Sequence, residues 1–80
     1  MFATRHASLR VEQRLGFVPD DEDWIDVVLS ITDRVVTRAL KLRQAGEAEV
    51  GLVRMRDVAA KVVWNSVTAV VITVLPADRE

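Results

Sequence analysis

Apolar residues recur along this chain at spacings of three and four, and that pattern predicts three helices joined by two short connectors. The first helix is placed at 8–15. Ser8 stands where a side-chain oxygen can accept from the first free amides, Leu9, Val11 and Leu15 are apolar, and Gly16 offers the left-handed conformation that ends a helix. The second is placed at 21–43. It opens on Asp20-Asp21-Glu22-Asp23, where Asp20 can cap and the acids that follow favour the positive helix start. Trp24, Ile25, Val28, Leu29, Thr32, Val35, Val36, Ala39 and Leu40 then form one stripe, and Arg38, Lys41 and Arg43 load the last turn with cations. Ala45-Gly46 closes it, and a short extended connector is possible at 50–53.

The third segment, 54–75, decides the fold class. Its valines and threonines favour strand. Against this, Val58, Val62, Ser66, Val70 and Val74 fall four apart, as do Ala59, Val63, Val67, Val71 and Leu75. Strict alternation fails at Val62-Val63, and the run is longer than strands usually are. The expectation is therefore a helix ended by Pro76, with a strand over Val67–Leu75 as the alternative. The fold class follows as all-α, a small bundle of about three helices in one domain spanning 1–80. Residues 76–80 are read as an arm, and 1–7 as a mobile arm or a docking strand. The expected core is Leu15, Trp24, Val28, Leu29, Val35, Val36 and Leu40.

Such a third helix is apolar around more than half its circumference, more than two short helices can cover. The excess points to burial against another chain, because monomers seldom leave large apolar patches open. The expected contact residues are Trp64 as anchor, with Val67, Val71, Ile72 and Leu75, and the basic pair Arg54 and Arg56 at the helix start.

Composition limits the alternatives. With 80 residues there is room for one modest core, and with no cysteine there is neither a disulfide nor a thiolate metal site. Eleven basic against twelve acidic side chains leave a net charge of −1, short of the basic excess that general nucleic-acid binding needs. The longest uncharged run, Val62–Ala77, has 16 residues, fewer than the roughly 20 a bilayer span requires, so no membrane partner is expected.

Catalytic chemistry is not in view. His6 is the only histidine and has no acid near it in sequence to orient it as a base, so neither Ser8, two residues on, nor Ser30 or Ser66 reads as an activated nucleophile. Asp20–Asp23 with Asp26 lacks the mid-loop glycine and closing glutamate of a calcium loop. Gly16, Gly46 and Gly51 are too dispersed to cradle a phosphate. No enzyme activity, metal or cofactor is expected. Arg5, Arg10 and Arg14 make one basic patch and Arg54, Arg56 and Lys61 a second, suited to an acidic protein surface or to passing DNA.

Val11-Glu12-Gln13-Arg14-Leu15-Gly16, a short linker to Asp20–Asp23, then Val28-Leu29 and Arg34-Val35-Val36-Thr37-Arg38, resemble the head–tail adaptor (connector) proteins of tailed bacteriophages. The versions in phages of actinobacteria are the nearest in pattern. Val58–Pro76 corresponds to their valine- and alanine-rich last helix, and the resemblance covers 8–76. It implies a structural virion protein made in the host cytoplasm and placed at the head–tail junction. Twelve copies would form a ring beneath the portal, continue the DNA channel without reading its sequence, and present a surface to the next tail or stopper protein. A second reading is a small helical DNA-binding or antitoxin-like regulator acting as a dimer, on the strength of the turn Gly16–Pro19 between two helices.

Overall fold

The computed structural model describes residues 2–33 and 41–76. Two helices, α1 (Arg5–Leu15) and α2 (Asp21–Thr32), precede four strands, β1 (Lys41–Ala45), β2 (Ala48–Met55), β3 (Val58–Asn65) and β4 (Val71–Leu75). The strands pair antiparallel in the order β1-β2-β3-β4, and both helices contribute to one core on one face of the sheet. The all-α expectation is thus overturned, and the chain is a mixed helix-and-sheet fold.

The helices start where a side chain can serve their free amides. Thr4, not Ser8, caps α1: its Oγ1 accepts from Ala7 N at 3.0 Å and donates to Ile72 O at 2.7 Å. Ser8 lies inside the helix, its own N–H given to Thr4 O. At the other end Gly16 takes φ 86° and donates to Glu12 O. Asp20 caps α2 with a reciprocal box, Asp23 N to Asp20 Oδ1 at 3.0 Å and Asp20 N to Asp23 Oδ2 at 2.8 Å. α2 ends at Thr32, well short of 43. A β-branched run with weak helix propensity begins at Ile31-Thr32 and resumes at Val35-Val36-Thr37, and Lys41–Ala45 is strand rather than last turn. Val35, Val36 and Leu40, expected in the core, lie outside the described residues.

Three turns break the supposed third helix and its approach. Gly46 at φ 62° opens a two-residue turn between Ala45 and Ala48, the position a type II′ hairpin gives to glycine. Arg56 and Asp57, at φ 51° and 65°, form the turn between Met55 and Val58, the double left-handed geometry of a type I′ hairpin. Asn65 then organises the β3–β4 loop. Its Oδ1 accepts from Val67 N and Thr68 N at 2.8 and 2.9 Å, and its carbonyl accepts from Ala69 N, which stands at φ 60°. The alternative strand at 67–75 survives only as Val71–Leu75.

The core gathers Ala7 and Val11 from α1, Trp24, Val27 and Ile31 from α2, and Val53, Met55, Ala60, Val62, Trp64, Val71 and Val74 from the sheet. Leu15 is half-buried and packs against it, and Val28 is half-buried. Leu29, expected in the core, is 62% exposed on the outer side of α2. The free edge of β4 is closed by the chain's own start. Thr4 N donates to Val71 O and Val71 N to Phe2 O, and Arg14 Nε donates to Val74 O at 3.1 Å. Residues 2–4 therefore form a docked segment, which removes an edge that could recruit another strand.

Candidate interaction surface

The register divides the sheet into two unlike faces. Val53 opposite Ala60, Gly51 opposite Val62 and Glu49 opposite Trp64 face the helices. The alternate residues face away. Arg43, Val50, Val63 and Thr73 form one row across all four strands; Leu52, Lys61 and Leu75 form a second, and Arg54 with Ala59 a third. Val50 is buried but stands outside the helix-side core. Lys61, Val63, Thr73 and Leu75 are half-buried, while Leu52, Arg54 and Arg43 are exposed. No other helix or strand among the described residues covers this outer face. Its chemistry is aliphatic with basic residues among it, Lys61 between Leu52 and Leu75, and Arg43 and Arg54 toward the margins.

The expected contact residues fall in five different places. Trp64 is a core residue, 1% exposed, with its indole Nε1–H given to Glu49 Oε1 at 2.9 Å. Val71 is also fully buried. Both are withdrawn as interface residues, since cross-strand neighbours and the helices already surround them. Val67 is 72% exposed at the tip of the β3–β4 loop, and Ile72 sits at the irregularity where β4 slips against β3. Leu75 and Arg54 do share the outer face, and Arg54 Nη1 donates to Asp57 O at 3.3 Å.

Arg56 has a different office. Its guanidinium grips Asp23 through two bonds of 2.9 and 2.8 Å, comes within 3.8 Å of Asp20, and stacks 4.3 Å from the Phe17 ring centre. The grip ties the strained β2–β3 turn to the start of α2. It also holds the Asp23 carboxyl below its ordinary value, chiefly through the Arg56 hydrogen bond, against a smaller opposing effect of burial; Arg56 is raised in turn, chiefly by the bond to Asp23. The basic patches read from the sequence are thus partly spent on the fold itself. Arg10 donates to Gln13 Oε1 at 2.7 Å and toward His6 Nε2, Arg14 to a β4 carbonyl, and Arg56 to Asp23.

A cleft of about 500 Å³ lies beside the end of α1, lined by Gln13, Arg14, Leu15, Ala59, Ala60, Leu75 and Pro76. Its only charged group, Arg14, is engaged with Val74 O, and neither a nucleophile nor an acid–base pair lines it. No group of three or more His, Asp or Glu among the described residues could hold a metal ion, and none of the described helices is long and apolar enough to cross a membrane. No protein-family model, curated protein or solved structure matches the chain.

Leu52, Val50, Val63 and Arg43 do not stand out as surface residues in the sequence pattern. The signal that exposes them is the Arg56-Asp57 turn. With that hairpin fixed, alternation along 48–55 sends Val53 and Met55 one way and Leu52 and Arg54 the other.

Proposed function

We propose that this chain is a non-catalytic protein-binding module whose contact surface is the outer face of its sheet. The observation that carries the reading is the asymmetry of that sheet. One face is sealed by two helices, and the other carries Leu52, Val63 and Leu75 among Arg43 and Arg54 with no described element over it. An antiparallel sheet with a solvated face ordinarily alternates apolar with polar residues; aliphatic side chains on both faces call for a second covering layer.

The wider assembly expectations change accordingly. There is no over-apolar third helix to hide, because Val62, Trp64, Val71 and Val74 are strand residues packed into the molecule's own core. The resemblance to phage connectors implied a long second helix and a valine-rich last helix; here α2 stops at Thr32 and 58–75 holds two strands. The all-helical ring at the head–tail junction is therefore not carried forward. The DNA-binding alternative also weakens. A recognition helix presents its start to the groove, and α2 starts with Asp21, Glu22 and Asp23, which phosphates repel.

A photo-crosslinking side chain in place of Leu52, in the native host, tests the reading. It should capture a protein in a discrete product, while the same group in place of Glu12 on the exposed side of α1 should not. Equal labelling at both positions, or none at position 52, removes the reading.

A further inference from the structure

The two outer sides of this molecule are complementary to each other. α2 turns Trp24, Val27 and Ile31 inward, which leaves Glu22, Ile25, Asp26 and Leu29 together on the side that faces away from the sheet. Ile25 is 39% and Leu29 62% exposed. One exposed leucine needs no explanation, but this is an aliphatic pair one turn apart, flanked by two carboxylates. On the opposite side of the molecule the outer sheet face sets Leu52 and Val63 among Arg43 and Arg54. One side is apolar with acid, the other apolar with base.

We infer that the partner of the outer sheet face is the α2 outer stripe of a second copy of this chain. In that contact Ile25 and Leu29 meet Leu52 and Val63, and Glu22 and Asp26 approach Arg43 and Arg54. The inference rests on the outer sheet face being a protein-contact surface. Charge selects the geometry. Two sheet faces brought together would oppose arginine with arginine, and two α2 stripes would oppose acid with acid; only the unlike pair is attractive. A net charge of −1 does not hold copies apart. Because each copy keeps one unused half of the contact on either side, association of this kind propagates, closing into a ring or running on as a filament according to the rotation between neighbours.

Sedimentation velocity on the purified chain tests this with two surface variants, Asp26→Lys with Leu29→Lys on the helix side, and Leu52→Glu with Arg54→Glu on the sheet side. The wild-type chain should grow past a dimer as concentration rises, and 1 M salt, with its Debye length of about 3 Å, should weaken the association. Each variant alone should lose association by at least about tenfold. An equimolar mixture should stop at a one-to-one dimer, since it contains one intact copy of each half. That dimer also shows that both variants are folded. A wild-type chain that stays monomeric, a variant that still dimerises alone, or a mixture that stays monomeric overturns the inference. A monomeric chain whose position-52 crosslinker captures some other protein would end the self-association proposal and leave the sheet-face reading standing.

Discussion

Val62 and Val63 are neighbours in one strand and lead different lives. Val62 is fully buried under the helices, and Val63 is half-buried on the other side. The same split separates Val53 from Leu52, at 3% and 37% exposure. Residue type does not distinguish the two faces; the covering layer does. On the helix side, apolar area is spent on holding the fold. On the outer side, where no described helix or strand lies over them, aliphatic side chains of the same kind stabilise the fold less.

The strongest way to break that contrast is to attack the covered face at Trp64. Trp64→Ala removes the largest fully buried side chain and takes a 2.9 Å donor from Glu49. Truncating a buried aromatic costs about 3–5 kcal/mol, enough to unfold much of a small domain. Urea unfolding should show a midpoint shift of that size, against a loss of about 1 kcal/mol or less for Val63→Ala on the outer face. Equal losses from the two substitutions would mean that both faces are core.

A smaller effect separates the closed edge of the sheet from its faces. Thr4 serves twice, capping α1 and holding the β4 edge through Ile72 O. Thr4→Ala should cost about 1–2 kcal/mol, the upper range for a lost cap. Ser8→Ala should be nearly neutral, because Ser8 caps nothing. Thermal unfolding of the two variants side by side checks the pair, and a larger loss at Ser8 would return the helix start to where the sequence pattern put it.

Smaller again is the pH dependence of the Arg56 grip. The Asp23 carboxyl is lowered in the folded state, chiefly by the Arg56 hydrogen bond. A lowered carboxyl contributes stability that is complete above its ordinary value, near 3.8, and is lost as pH falls through the lower folded value. Arg56→Gln should shrink this contribution. Acid titrations of stability should then show a shallower loss below pH 3.8 in the variant than in the wild type. Parallel curves would assign the acid sensitivity to other carboxylates.

The sequence was most readable where one local group decides the outcome. Asp20 with Asp23 is a start signal that needs no tertiary partner, and Gly16 is a stop signal of the same kind. The sheet was hidden for a physical reason. A spacing of four is also a multiple of two, so Val58 and Val62 share a face in a strand as readily as in a helix. Apolar residues on both faces erased the alternation that would have separated the readings. The punctuation was hard to see as well, because Arg56-Asp57 occupies a turn that asparagine and glycine ordinarily take. What holds Arg56 there includes the Asp23 carboxylate and the Phe17 ring, which are distant in sequence. The outer face became legible only after that turn did.

The smallest expected effect on stability is the most informative about function. Leu52→Ser changes an exposed position with no part in the helix-side core, and should move the unfolding free energy by only about 0.5 kcal/mol. Val53→Ser, one residue away, puts an unpaired hydroxyl among Val62, Trp64 and their neighbours and should cost several times that, roughly 2–3 kcal/mol or more. If the outer face is a contact surface, the order reverses in an association assay. Leu52→Ser then weakens binding while the fold stays intact, and residual folded Val53→Ser still binds. Circular dichroism melts with sedimentation on the same samples read both scales at once. Loss of fold and loss of association in step at the two positions would leave the molecule with no division of labour between its faces.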